Sequence, residues 1–154
     1  MKKLLNYTSE VPVERTIGEI QRCLSTHGAT AILTDYEDSY VKAISFKIMF
    51  DGKPIGFRLP TDWKPVFKIL MEGKKQYSEQ KLRDRQASQV KEQSVRTAWR
   101  IVKDWVEAQM AIVDTQMVTM EEVFLPYAVT SSGQTLAEKF KGGSNLLGSG
   151  KQNE

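Results

Sequence analysis

The chain reads as an α+β protein: an N-terminal helix, a three-stranded antiparallel sheet, a short helix, then a long amphipathic helix packed on the sheet and a short helical C-terminal extension. Two observations predict this. From Glu92 to Met117 the apolar residues Val95, Ala98, Trp99, Val102, Trp105 and Val106 recur at spacings of three and four. Arg96, Arg100, Lys103, Asp104 and Glu107 fall mostly between them, the pattern of a helix with one buried stripe. From Ala29 to Leu59 the period changes to two, and polar turn signals interrupt the alternation.

The elements follow in order. Val13, Ile17, Ile20 and Leu24 predict a first helix over Val13 to Thr26, with Pro12 compatible with its entry and Gly28 with its exit. Ala29 to Tyr36 reads as a strand, Glu37 to Ser39 as a turn, and Tyr40 to Phe50 as a second strand. In that strand Ile44, Phe46, Ile48 and Phe50 share the core face, and Ala43, Ser45, Lys47 and Met49 face the other way. Asp51-Gly52 is a hairpin signal, and Pro54 to Leu59 forms the third strand. Thr61 or Asp62 can cap a short helix with Trp63, Val66 or Phe67, and Leu70 on its apolar face and Pro65 in its first turn. Gly73 to Ser94 is either a linker or the front half of the long helix. Thr119 to Glu122 fits a capping box, Pro126 interrupts the helix it opens, and Leu136 to Phe140 is a last short helix. One domain spans residues 13–141, between a flexible N-terminus (1–12) and a flexible Gly/Ser-rich tail (142–154). Three strands with one open face are marginal alone, so the long helix or a second subunit should cover that face, and self-association is expected.

Composition excludes several classes. No apolar run approaches the about eighteen residues needed to cross a bilayer, and the N-terminal MKKLL is too short for a signal peptide, so no membrane association is expected and the location should be the host cell cytoplasm. The single cysteine, Cys23, excludes an intramolecular disulfide and a cysteine-based zinc site. The net charge of +3 is mild, but the basic excess is local: Gly73 to Ser94 holds six lysines or arginines and three acids.

That cluster carries the leading functional expectation. Lys74, Lys75, Lys81, Arg83, Arg85 and Lys91, with Lys47 and Arg58 on the open sheet face, could hold phosphates without reading base sequence. The ordinary alternative is a solvated helix face, which the acid-first pair Glu92 and Arg96 favours. Trp99 and Trp105 are core residues or, in the sharper reading, a stacking platform or partner anchor. Phe124, Leu125 and Tyr127 fold back on the core or form a partner-binding patch. Catalytic material is sparse, and no cofactor is expected. His27, the only histidine, sits where the first helix should end and suits an interaction with that terminus. Asp104, Glu107, Glu121 and Glu122 are the best carboxylate set for a metal, at spacings common in any helix, and no metal site is assigned. Gly148 to Lys151 lacks the leading glycine and the flanking strand and helix of a phosphate loop.

RTIGEIQRCLSTHGAT, ISFKI followed by GFRLP, AWRIVKDWVEAQMAI and EEVFLPY, within Val13 to Phe140, resemble an uncharacterised family of small proteins encoded by bacteriophages and prophages. The resemblance implies a viral or mobile-element origin and supplies no site residues. The order helix, three antiparallel strands, long helix is also similar to the core of phage single-strand annealing proteins, an analogy of fold alone. The combined expectation is a non-enzymatic protein that binds nucleic acid, single-stranded DNA included, without sequence specificity. The alternative is an interaction or counter-defence protein that binds a host protein or sequesters a small signalling nucleotide.

Overall fold

Pro12 and Gly28 bracket the first helix, α1 (Val13–Thr26), in the computed structural model, which describes residues 3–143. Gly28 has φ +99, Ala29 N donates to Leu24 O at 3.0 Å, and Gly28 N donates to Ser25 O at 3.4 Å, so the last carbonyls of α1 are satisfied by a Schellman turn. The buried stripe of α1 is Thr16, Ile17, Ile20 and Leu24. Ile20 and Leu24 are fully buried, each worth about 1.5–3 kcal/mol over an exposed position.

The sheet follows as β1 (Ala31–Glu37), β2 (Tyr40–Phe50) and β3 (Lys53–Arg58), antiparallel and in sequence order. Two-residue turns set both registers. Asp38 and Ser39 lie at φ 49 and 69 between the paired Glu37 and Tyr40, and Asp51 and Gly52 lie at φ 49 and 75 between Phe50 and Lys53. Positive φ at both central positions matches the strands' right-handed twist. Ile44, Phe46, Ile48, Phe57 and Leu59 are buried on the inner face as the alternation predicts. Phe50 departs from it and is 50% exposed, because the strand has run past the helices into its hairpin.

After Pro60, Asp62 Oδ1 accepts from Lys64 N at 3.0 Å and starts α2 (Lys64–Glu72), with Pro65 in the first turn, where a missing donor costs nothing. The long helix α3 runs from Gln80 to Asp114, some 50 Å at the usual rise, and begins well before the periodic segment at Glu92. Val95, Trp99, Val102, Val106 and Met110 meet α1 and the inner face of the sheet in one core. The helix therefore covers the face already apolar, and the outer face stays open, with Leu33 60% and Met49 53% exposed.

Thr119 closes the expected capping box with Glu122 and opens α4 (Met120–Phe124), which passes into a 3-10 turn over Leu125–Tyr127 at Pro126. A second capping box, Thr135 with Glu138, opens α5 (Leu136–Lys141). Between them Val129 N donates to Gly56 O at 2.8 Å and Ala128 bridges Phe57, so this segment covers the free edge of β3. Residues 144–154, most of the expected flexible tail and the whole of Gly148 to Lys151, lie outside the described residues.

Candidate nucleic-acid interface

The segment between α2 and α3 is a shaped loop. Arg83 folds back from the first turn of α3, its Nη1 donating to Tyr77 O at 3.1 Å and Ser78 O at 2.9 Å and its Nη2 to Gln80 Oε1 at 2.6 Å. Gln86 Nε2 donates to Lys75 O at 3.1 Å. Three backbone carbonyls that would otherwise take water are thus held by side chains of α3, which turns the connector into a wall.

The N-terminus supplies the opposite wall. Asn6, in the left-handed region at φ 62, accepts at its carbonyl from Thr97 Oγ1 and donates from Nδ2 to Asp104 Oδ2 at 2.7 Å. Gln93 Nε2 lies 3.0 Å from both Tyr7 O and Ser9 O, and Arg96 Nε donates to Ser9 O at 3.3 Å. The flexible arm expected over residues 1–12 is accordingly replaced, at residues 6–9, by a strap fixed along α3. Its polar composition hides this, since these contacts are hydrogen bonds, most of them to backbone carbonyls, which leave no apolar pattern.

Between strap and loop lies a groove of about 830 Å³, floored by Leu70 and Val90. Lys74, Lys75 and Arg85 line it with Tyr7 and Tyr77, and the amides of Gln86, Gln89 and Gln93 stand among them. The three cations are exposed, and none is ion-paired with a carboxylate among the described residues. Unneutralised cations beside aromatic rings and amides suit a ligand that is anionic, flat and hydrogen-bonding.

The other expected phosphate ligands do not converge on this groove. Lys81 is exposed on the first turn of α3 and does not line it. Arg83 is committed to the loop carbonyls. The Nζ of Lys91 sits 5.1 Å from the ring centroids of both Tyr40 and Trp63, a cation–π contact tying α3 to β2 and the entry of α2. Lys47 pairs with Ala31 and Gly56 on the outer sheet face, and Arg58, on that face too, donates to Gly133 O at 3.1 Å. A single basic surface of eight residues is therefore corrected to a cluster of three, because α3 and the sheet turn the others elsewhere.

The expected partner surface is corrected more sharply. Trp99 is 1% exposed and donates from Nε1 to Val41 O at 3.2 Å, and Phe124 is fully buried against Phe46, Phe57 and Trp105. Neither can anchor a partner. Tyr127 is half-buried with its ring edge-on to Trp105, leaving Leu125, 55% exposed, as the accessible apolar residue of the set.

Of the carboxylates weighed for a metal, Glu107 lies 2.8 Å from Lys103 Nζ and Asp104 3.5 Å from it. The Glu107 hydrogen bond holds the Lys103 ammonium above its ordinary pKa. The described residues contain no group of three or more His, Cys, Asp or Glu side chains suited to a metal ion. Burial pushes the Glu19 carboxyl up, but the hydrogen bond from Arg100 at 2.6 Å and the charges of Arg100, Lys103 and Arg15 outweigh it and hold the group below the usual range. This network joins α1 to α3. His27 takes its expected place at the end of α1, with Nδ1 2.7 Å from Cys23 O.

Sequence reasoning missed Tyr7, Gln86 and Gln93. The one available signal was the glutamines, which recur on a helix too polar there to be buried, while nothing in the sequence connects Tyr7 to a loop about seventy positions away. No helix among the described residues is long and apolar enough to cross a membrane. No protein-family profile, curated protein or solved structure matches the chain, so the resemblance to phage-encoded proteins gains no support from comparison and the site is read from its own residues.

Proposed function

We propose that this protein binds single-stranded nucleic acid without reading its sequence and without catalysis, through the groove between the N-terminal strap and the loop after α2. One observation carries the reading: Lys74, Lys75 and Arg85 meet Tyr7 and Tyr77 around one preformed groove. Cations can neutralise successive phosphates and release their counterions, while a tyrosine ring accepts any base by stacking. The paired bases of a duplex offer no face to the rings, so single strands should be preferred. Arg83 and Gln86 act as positioning residues that hold Tyr77 and Lys75 at the loop.

The test is fluorescence anisotropy with labelled single-stranded and duplex oligonucleotides at low and moderate salt. Single strands should bind with a steep loss of affinity as salt rises, Lys74→Glu with Lys75→Glu should abolish binding, and Lys47→Glu should leave it intact. Salt-independent binding, or equal loss in all variants, would overturn the proposal.

A second reading has its own support. A volume of about 830 Å³ falls within the range of small-ligand pockets, and the Gln89 amide, unlike those of Gln86 and Gln93, is not spent on a backbone carbonyl and could pair with the edge of one base, so the same groove could sequester a small nucleotide. Calorimetry with mononucleotides and short oligonucleotides separates the two: affinity that does not rise with oligonucleotide length favours nucleotide capture.

A further inference from the structure

Of the two edges of the sheet, one is closed and one is open. The edge of β3 is covered by Ala128 and Val129, whereas β1 pairs only with β2 and no other described strand lies along it. An open edge presents a row of unpaired amides and carbonyls that another strand can complete, and proteins that avoid such pairing place lysine, proline or a bulge there. Strand β1 has neither lysine nor proline, and its one irregularity falls between Asp35 and Tyr36, so Ala31 to Asp35 is a regular pairing surface with Leu33 at its midpoint.

We propose that this stretch pairs antiparallel with the same stretch of a second copy of the chain, about a two-fold axis at Leu33, to give one continuous six-stranded sheet. The sequence is self-complementary in that register. On the outer face Ala31 falls opposite the partner's Asp35, Leu33 opposite its twin, and Asp35 opposite the partner's Ala31. Ala31 is also the cross-strand neighbour of Lys47 in β2, on the same face. The Lys47 and partner Asp35 positions are then two strand spacings apart, about 10 Å, with only the Ala31 methyl between them. A lysine stem laid over an alanine spans that gap, and symmetry forms the ion pair twice. Leu33, 60% exposed in the single chain, gains an apolar neighbour at the axis. A face-to-face contact of two sheets would bury Lys47 and Arg58 together, whereas edge pairing leaves the outer face wet and uses its charges at the seam. The inference stands on the sheet alone, since Leu33, Asp35 and Lys47 do not line the groove.

Analytical ultracentrifugation of the full chain over a concentration series tests it, with circular dichroism to confirm that each variant is folded. The wild type should dimerise. Leu33→Lys should be monomeric, Asp35→Lys and Lys47→Asp should each weaken the dimer about tenfold or more, and the double exchange should restore most of the loss. In a Cys23→Ser background, Leu33→Cys should form a disulfide-linked dimer on mild oxidation, because paired Cα atoms about 4.5–5.5 Å apart lie within disulfide range. A wild type that stays monomeric throughout, or a dimer indifferent to Leu33→Lys and to both charge reversals, would overturn the proposal. Pairing of β1 with a strand of a different protein alone would do so too.

Discussion

His27 Nε2 lies 3.0 Å from Asp114 Oδ1, joining the residue that ends α1 to the last residue of α3. Because Nδ1 faces the Cys23 carbonyl at 2.7 Å, both contacts are satisfied together only when both ring nitrogens carry protons. The Cys23 carbonyl raises the imidazole pKa, burial opposes it, and Asp114 adds to the rise. A folded-state value above the unfolded one contributes stability that is complete below the ordinary imidazole value of about 6.5 and is lost as pH rises through the folded value. Urea unfolding at a series of pH values should show the wild type losing stability upward from about pH 6.5, and His27→Gln should lack that loss. The Glu19 carboxyl titrates below this window, and the Cys23 thiol, raised first by burial and then by Glu107 and Asp114, titrates above it. Parallel profiles for the two proteins would show the clamp to be inert.

Arg83 should matter for binding without touching ligand. Its guanidinium is spent on Tyr77 O, Ser78 O and Gln80, so Arg83→Ala frees the loop rather than removing a phosphate contact. The expected signature is faster tryptic cleavage at Lys74 and Lys75 together with weaker oligonucleotide binding whose salt slope is unchanged. A reduced slope with unchanged proteolysis would make Arg83 a direct ligand.

Tyr7→Ala and Tyr77→Ala should each weaken single-strand binding by about 1–3 kcal/mol, the usual cost of losing a stacking ring, while the phenylalanine variants retain most of the affinity. Equal loss in Tyr7→Phe would point to the hydroxyl and away from stacking.

The fold was legible where one periodicity dominated. Strand β2 keeps the bounds Tyr40–Phe50 that alternation predicts, and α1 keeps Val13–Thr26, because in both one period runs through most of the element and a turn residue stands at the end. The first twelve residues of α3 carry no such stripe. Gln80 to Gln89 is nearly all exposed, so its helicity comes from propensity and from Val90 onward, not from an apolar pattern. The groove was half legible: charge density marked Lys74, Lys75 and Arg85, but side-chain bonds to backbone carbonyls, such as Gln93 to Tyr7, have no sequence period. That is also why the strap read as an arm and Arg83 as a phosphate ligand.

Phe124 and Leu125 are adjacent yet should behave oppositely. Phe124 is fully buried among Phe46, Phe57 and Trp105 with ring centroids 5.3–6.3 Å away, so Phe124→Ala leaves a cavity where the sheet, α3 and the C-terminal segment meet and should cost about 3–5 kcal/mol. Leu125, 55% exposed, should tolerate alanine within about 0.5 kcal/mol. Chemical denaturation followed by tryptophan fluorescence measures both. Because Ala128 and Val129 cover the edge of β3 just beyond, loosening Phe124 should also speed amide exchange at Val129, whose N–H lies 2.8 Å from Gly56 O. If exchange there stays slow while global stability falls, the edge cover is held by its own hydrogen bonds and not by the aromatic cluster.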